Sequence, residues 1–207
     1  MKKVYAIVLA AALLLVGTQA SAQLRFGAGY MNAAERTISG NTTDKADLNG
    51  FYAGFHYNLN IVAGLGVATG LYADMLFSER ESSVWMVSGK VKFSELDLNL
   101  PVYLNYTFPL NRDFSLFVYG GPTLQYGIFR KAKVTVSAGS TSKSETSDYY
   151  KDGNNKPFNV YLGGGAGFQA GNIQVILGYD HSMINMLESD NVKQNRSQIK
   201  IGVGFAF

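Results

Sequence analysis

The 207-residue chain has no cysteine, only two histidines and only four prolines. The absence of cysteine excludes a disulfide framework and any cysteine-ligated metal site. The two histidines, His56 and His181, are far apart in the sequence, so a histidine-rich metal site is not expected either. We therefore expect neither a metal nor a cofactor. The scarcity of proline suits a chain made of many strands.

Long apolar runs are confined to the start of the chain. Two lysines precede an apolar run over residues 4–16, and Ala20-Ser21-Ala22 places small residues where a signal peptidase reads them. The run is shorter than the roughly 20 residues of a transmembrane helix. We predict a signal peptide over residues 1–22 and one mature domain over residues 23–207. A retained membrane anchor is the other interpretation of this segment.

The charge of the mature chain is close to balance. The formal net charge is +3, but two of the 18 basic residues are the leader lysines, which leaves 16 against 15 acidic residues. A nucleic-acid-binding domain carries a clustered basic surface. We therefore predict no nucleic-acid partner.

The C-terminus shows a strict alternation of side chains. Every second residue is apolar: Ile199, Ile201, Val203, Phe205 and Phe207. The residues between them are small or polar: Lys200, Gly202, Gly204 and Ala206. Successive side chains of a strand point to opposite faces. This segment is therefore a strand with one fully apolar face.

The same alternation recurs along the mature chain. It predicts eight strands, at residues 24–31, 50–58, 63–77, 95–108, 114–128, 158–169, 173–182 and 199–207. Short turns are predicted near 58–60, at 109–113 and at 171–172, and long polar loops at 32–48, 78–92, 130–157 and 185–196. Residues 131–136 could continue their strand beyond the membrane, and a hairpin within 130–157 that enters the membrane would raise the number of strands to ten or more. Short and long connections that alternate are typical of outer-membrane barrels. The predicted fold is all-β, an eight-stranded antiparallel up-and-down barrel.

The chemistry of the two faces indicates which one is inside. An eight-stranded barrel has an interior that side chains only just fill, so glycine and polar residues fit there better than leucine and phenylalanine. A charge that faces mid-bilayer lipid costs about 2–4 kcal/mol, and the apolar face carries none in the best-placed strands. We therefore predict a transmembrane β-barrel of the bacterial outer membrane. A soluble lipocalin-like carrier would have Leu98, Val118, Leu162 and Val203 around its axis instead.

Aromatic residues on the apolar face form two groups. One group is predicted at the short-turn end: Tyr57, Phe108, Phe114, Phe168 and Phe207. The other is predicted at the long-loop end: Tyr30, Phe51, Phe77, Tyr126, Phe158 and Tyr179. Aromatic rings favour both interfaces of a membrane, so the two groups support the same orientation.

Three features resemble a known family. The stretch Leu98–Tyr106, the glycine-rich Gly163–Gly167 and the terminal Phe207 resemble the outer-membrane β-barrel proteins labelled "porin family" or PorT-like. The resemblance implies that the outer-membrane assembly machinery reads the last strand through Ile201, Val203, Phe205 and Phe207. It implies location and fold rather than transport, because many members have no established transport activity.

The inward face carries the candidate functional residues. The predicted lumen polar network consists of Arg25, Asp74, Glu95, Asp97 and Lys200. Buried charges need partners, so we expect these groups to form an ionic network that plugs the lumen. A gate or an ion path is the other interpretation.

Two further segments deserve a functional hypothesis. Asp180-His181-Ser182 has the residue types of a hydrolase triad, but a strand places His181 on the opposite face from its neighbours. We therefore predict no enzyme. In the loop 130–157, Tyr149 and Tyr150 could form an extracellular contact surface with Trp85, because such rings are favoured in contacts. A solvated loop, or a basic collar that neutralises lipid phosphates, is the preferred interpretation.

These observations predict a monomeric barrel with a structural or surface-interaction role. Its expected partners are outer-membrane lipids, the outer-membrane assembly machinery and an extracellular ligand or protein bound through the long loops. A narrow porin or transporter for small solutes is the first alternative. An outer-membrane lipid-modifying enzyme is the second.

Overall fold

The computed structural model describes residues 22–84, 87–138, 141–152, 155–187 and 192–207. The predicted signal peptide up to residue 21, and Trp85, lie outside these ranges. Among the described residues, no helix is long and apolar enough to cross a membrane.

Nine antiparallel strands make up the described chain. They are β1 (Ala22–Ser39), β2 (Thr42–Val62), β3 (Leu65–Val84), β4 (Val87–Pro109), β5 (Phe114–Ala138), β6 (Thr141–Asp148), β7 (Phe158–Ala170), β8 (Ile173–Ser182) and β9 (Val192–Ala206). Each of β1 to β5 pairs with the next, β5 also pairs with β7, and β9 pairs with β1 to close the ring. Within the described residues β6 pairs with β5 alone. The predicted antiparallel barrel is confirmed, with nine strands rather than eight because β6 forms inside the predicted loop 130–157.

Most of the predicted long loops are strand. The β1–β2 ladder continues to Ser39 opposite Thr42, and the β3–β4 ladder continues to Val84 opposite Val87. At 185–196, β9 already begins at Val192. The loop predictions were wrong because both faces of these extensions lie outside the apolar band. Alternation of apolar side chains, the signal for a half-buried strand, is therefore lost in the extensions of β1, β2 and β3 although the backbone ladder continues. In the extension of β5 it persists over residues 131–138.

The strands β2 to β5 are much longer than a membrane requires. They have 20 to 25 residues each, whereas β8 has 10. A tilted transmembrane strand takes about 9–11 residues, so roughly ten residues of each long strand, about 33 Å, rise beyond the membrane. The barrel wall therefore extends further beyond the membrane along β2 to β5 than along β7 and β8.

The end with both chain termini has tight connections. The β2–β3 turn is Ala63-Gly64, which begins three residues beyond the end of the predicted turn at 58–60, and both residues have positive φ, 42° and 85°. Positive φ at both positions matches the twist of a two-residue hairpin. The predicted turn at 171–172 is confirmed, with Gly171 at φ 56°. In the β4–β5 loop the side chain of Asn111 accepts hydrogen bonds from the backbone of Asp113 and Phe114.

The apolar face points outward, as predicted. Val118, Leu162 and Val203 are 45%, 52% and 59% exposed, whereas Asp74, Glu95 and Asp97 are fully buried. Ten of the eleven rings in the two aromatic groups are exposed, and Tyr57 is half-buried. The soluble carrier with leucine and valine around its axis is therefore wrong.

Inward tyrosine rings and inward glycines fit together inside the barrel. The Tyr52 side chain occupies the space that a Cβ atom at Gly29 or Gly202 would take. The Tyr119 side chain does the same at Gly165 and Gly178. Each ring lies along the inner wall over the next two strands and rests on backbone that has no side chain. This packing accounts for the inward members of the 23 glycines and 13 tyrosines.

A small apolar core lies on the inner face of β1 to β3. It consists of Met31, Ala33, Leu48 and Leu76, with Tyr52 at its edge. Met31 and Ala33 separate Gly29 from Glu35 along the inner face of β1. Along β1 this core therefore lies between an outer and an inner charged part, whereas Asp74 and Asp97 face each other directly across β3 and β4.

Candidate functional site: the charged lumen

Five charged side chains meet at the outer end of the lumen. They are Glu35, Glu95, Asp97, Arg130 and Arg196, and we call them the outer cluster. Arg196 is fully buried at the centre. Its Nη2 donates to Glu95 Oε2 at 2.7 Å and also to Glu35, and its Nε donates to Glu35 Oε1 at 2.9 Å. Its Nη1 reaches Asp97 Oδ2 at 3.5 Å.

Arg130 is the second cation of the outer cluster. Its Nη2 donates to both carboxylate oxygens of Glu35, at 2.9 and 2.7 Å, and its guanidinium lies 5.0 Å from the centre of the Phe93 ring. A β-bulge places it inside. Leu96 pairs with Phe129 and Asp97 with Gly127, so Ile128 is an extra residue. Such an extra residue reverses the inward and outward alternation beyond it.

Tyr150 covers the outer cluster from the segment that follows β6. Its hydroxyl donates to Glu95 Oε1 at 2.9 Å and to Asp97 Oδ1 at 3.3 Å. Its ring rests on Gly127, where a Cβ atom would overlap it. The prediction that Tyr150 belongs to an exposed contact surface was therefore wrong, because its hydroxyl is engaged by the buried carboxylates.

A second, inner ionic group lies closer to the middle of the barrel. Lys200 Nζ donates to Asp74 Oδ2 at 3.0 Å and lies 3.6 Å from Asp180 Oδ2. The ammonium also lies 5.7 Å from the centre of the Tyr52 ring. These groups come from β3, β8 and β9, so the inner ionic group connects strands that are not all neighbours in the sheet.

The structure brings four of the five predicted network residues into ion pairs, but in two separate groups. Glu95 and Asp97 belong to the outer cluster, and Asp74 and Lys200 to the inner ionic group. Arg25 belongs to neither, so the prediction of one network that includes it needs correction. The register places Arg25 opposite His56 and Ala206, near the short turns, and its Nη2 donates to Gln23 Oε1 at 2.9 Å.

The sequence did not reveal three residues of the outer cluster, nor the tyrosine that covers it. Glu35, Arg130, Tyr150 and Arg196 were all assigned to loops. The alternation of β1 extended past residue 31, and that of β9 extended back from residue 200, would have placed Glu35 and Arg196 on the inner face. No comparable signal exists for Arg130, because the bulge reverses its direction.

The inner half of the lumen contains a cavity of about 90 Å³. Tyr52, Tyr72, Tyr103 and Tyr119 line it, and His56 Nδ1 lies 2.6 Å from the Tyr72 hydroxyl. The cavity shares Arg25, Asn58 and Thr107 with the opening at the short-turn end. The lumen is therefore closed at its outer end by the outer cluster and open at the end with the short turns.

The candidate triad Asp180-His181-Ser182 is divided between the two faces, as predicted. Asp180 and Ser182 are buried in the lumen, and Ser182 Oγ accepts from the backbone of Arg196 at 2.8 Å. His181 is outside, where its Nδ1 lies 2.9 Å from Ser197 Oγ. Within the described part of the chain, no carboxylate bonds to His181 Nε2, so this outer pair lacks the orienting acid of a triad.

Several solved structures resemble this chain. Ail, the attachment invasion locus protein of Yersinia pestis, is 20% identical, with a TM-score of 0.42 and coverage of 89% of this chain and 98% of that one. Neisserial surface protein A is 14% identical, with a TM-score of 0.41 and coverage of 88% and 97%. The outer membrane enzyme PagL is 11% identical, with a TM-score of 0.45 and coverage of 84% and 98%.

No curated protein matches the chain. The family comparison is more decisive, since one model covers almost the whole sequence. The model described as outer membrane protein beta-barrel domain matches residues 6–207, and the chain therefore belongs to the outer membrane protein β-barrel domain family.

Proposed function

We propose that this protein is a non-conducting outer-membrane barrel, of the porin-family or PorT-like type, with a structural or surface-interaction role. The observation that carries the proposal is the outer cluster. Arg196 binds Glu35 and Glu95 and reaches Asp97. Tyr150 covers Glu95 and Asp97 from outside. A solute that crossed the barrel would have to separate these groups.

The strength of the contacts argues that the closed state dominates. Removal of one partner from a buried ion pair costs about 3–5 kcal/mol, because the remaining charge is left in a poorly solvated site. Each 1.4 kcal/mol is a factor of ten in a population, so an opening that exposes Arg196 in this way is populated below about 1%. Fluctuation of the side chains alone would not sustain a current.

The surface-interaction part of the proposal rests on the extended strands. The outer parts of β3, β4, β5 and β6 form a continuous sheet that stands beyond the apolar band. Lys90 pairs with Glu79 and Glu81 on this sheet, and Lys92 lies 3.4 Å from Glu79. The hydrogen bond from Lys90 holds the pKa of the Glu79 carboxyl below its usual range. Because this sheet is hydrogen-bonded throughout and stands beyond the apolar band, it offers a more rigid surface for an extracellular partner than mobile loops would.

Single-channel recording tests the closed lumen. Purified full-length protein in a planar bilayer should give no steady conductance steps. Its double variant Arg196→Ser with Tyr150→Ala should give small steps, because the cation at the centre of the outer cluster and the ring that covers it are both removed. Steady steps from the unaltered protein would contradict the proposal.

The second candidate function is a narrow pore for small solutes. It is favoured by the cavity, which shares Arg25, Asn58 and Thr107 with the opening at the short turns. This function requires the outer cluster to open on a stimulus. The same recording, repeated over a range of applied voltage and pH as stimuli, distinguishes the two candidates, since a gated pore would then conduct without the substitutions at Arg196 and Tyr150.

We extend the proposal to assembly through the last strand. Ile201, Val203, Phe205 and Phe207 are exposed on one face, where the assembly machinery could contact them before the strand meets lipid. Deletion of Phe207 should lower the amount of folded barrel in the outer-membrane fraction several-fold, measured by heat-modifiability on a gel. The variant Phe158→Ala, which removes an exposed ring from another strand, is the matched control. An equal loss in both variants would contradict a specific role of the terminus.

A further inference from the structure

Two exposed lysines lie on the outer face of β5 directly beyond the apolar band. Phe129 pairs with Leu96 of β4, and the next two outward residues of β5 are Lys131 and Lys133, which we call the lysine pair. Lys131 Nζ lies 5.0 Å from the centre of the Phe129 ring. Successive outward residues of a strand are only about 7 Å apart, and a lysine stem can lie along apolar surface. Both ammonium groups therefore lie within reach of the membrane interface.

No described carboxylate neutralises the lysine pair, since neither side chain forms a salt bridge with one. Asp148 is opposite Lys131 in the β5–β6 ladder. Its Oδ1, however, accepts from the backbone of Arg130 and Tyr150, at 3.4 and 3.3 Å, and its Oδ2 lies 4.0 Å from Lys151. The positive charge of the lysine pair is therefore not balanced from β6.

The strand on the other side, β4, adds positive charge. Lys92 is the direct cross-strand partner of Lys133, and like charges in this position destabilise a sheet. Lys92 Nζ lies 3.4 Å from Glu79, but Glu79 also pairs with Lys90. Beyond the apolar band, the outer face of β3 to β5 thus has a net charge of +2, from Lys90, Lys92, Lys131 and Lys133 against Glu79 and Glu81. An anion bound here would remove the repulsion.

We propose that the lysine pair, with Lys92 beside it, binds the phosphate group of a lipid in the outer leaflet. In outer-membrane barrels the short turns face the periplasm, so the long strand ends, and the lysine pair with them, face the outside. A phosphate monoester carries a charge of about −1.5 to −2 at neutral pH, which matches the excess charge of this face. An ammonium binds phosphate as a point charge and tolerates a mobile headgroup.

The apolar surface next to the lysine pair selects a lipid over a dissolved anion. Tyr126 and Ile128 of the same strand are 46% and 45% exposed on the outer face, where acyl chains cover them. A lipid therefore contacts the apolar band and the ammonium groups at once, whereas a dissolved phosphate contacts the ammonium groups alone. This inference rests on the outer-membrane location of the barrel. It is independent of whether the lumen conducts and of whether the outer sheet binds a protein.

Urea unfolding of the full chain in two kinds of vesicle, followed by heat-modifiability, tests the proposal. One kind contains phosphatidylcholine alone, and the other also contains lipid A in both leaflets, so the direction of insertion does not matter. With lipid A, the double variant Lys131→Gln with Lys133→Gln should raise the equilibrium constant of unfolding about tenfold or more, because basic residues at the interface are attracted to anionic headgroups. In phosphatidylcholine alone it should leave this constant unchanged or lower it, since the repulsion between Lys133 and Lys92 is removed.

The matched control is Lys143→Gln with Lys193→Gln, which removes two exposed lysines further from the apolar band. Lys143 is opposite Val136, about 23 Å along β5 from Phe129, and Lys193 is about 20 Å along β9 from Ile199. These distances exceed the Debye length of about 8 Å, so the control should resemble the unaltered protein in both kinds of vesicle.

Three results would overturn the proposal. The first is an equal effect of the two double variants in vesicles with lipid A. The second is an effect of the lysine-pair variant that is the same in both kinds of vesicle. The third is that inorganic phosphate stabilises the unaltered protein in phosphatidylcholine vesicles as much as lipid A does, which would assign the lysine pair to a dissolved anion.

Discussion

Replacement of Arg196 by leucine should lower the free energy of unfolding by about 3–5 kcal/mol. The substitution leaves Glu35, Glu95 and Asp97 with Arg130 as their one remaining cation in the outer cluster. The uncompensated carboxylates are buried, so water cannot solvate them. Urea unfolding of the barrel in lipid vesicles, followed by heat-modifiability on a gel, measures the difference.

Two companion variants separate this effect from the general cost of a substitution. Lys92→Leu removes an exposed cation from the outer sheet, where an ion pair contributes little. It should leave the free energy of unfolding nearly unchanged. The double variant Arg196→Leu with Glu35→Gln should recover part of the loss, because it also removes one unpaired carboxylate. A loss below about 1 kcal/mol for Arg196→Leu, the size of a surface ion pair, would show that the outer cluster does not hold the barrel together.

Replacement of Val118 by arginine should destabilise the barrel by about 2–4 kcal/mol, the cost of an arginine that faces the middle of the bilayer. Val118 is 45% exposed and lies between Phe114 and Tyr126 on the outer face of β5, which places it between the two aromatic groups. The same unfolding assay in vesicles measures this cost.

The same strand supplies the control for this experiment. Val134 is also a valine of β5 and is 43% exposed, but it lies 16 residues further along, in the outer part that pairs with β6. Beyond the bulge it is on the lumen-side face, above the membrane. Val134→Arg should cost about 0–1 kcal/mol, as expected outside the hydrocarbon layer. If both variants cost the same, the apolar band does not face lipid, and the membrane assignment of the outer face fails.

Both experiments test the same division of the barrel into an apolar outside and a charged inside. That division was visible in the sequence wherever a strand crosses the membrane. Between Ile199 and Phe207 the apolar and polar residues alternate without exception, and this segment is the membrane part of β9. Residues 158–169 and 173–182 were likewise placed within one residue of β7 and β8.

The sequence was less informative where strands leave the membrane. The outer parts of β1 to β5 and of β9 were predicted as loops, since they are richer in polar residues than the apolar band, and polar residues occupy both faces in β1, β2 and β9 there. Glu35 and Arg196 were lost from the predicted network for this reason. Backbone hydrogen bonds between strands do not depend on the type of side chain, so only the structure shows how far the pairing continues.

The sequence by itself determined the fold class and the outward direction of the apolar side chains, because lipid on one side and a narrow lumen on the other impose a two-residue period. Only the tertiary structure decided which charges meet. The bulge at Ile128 turns Arg130 inward, and Tyr150 returns from beyond β6 to cover Glu95 and Asp97. Such contacts join residues far apart in the chain across a closed ring, so no local pattern predicts them.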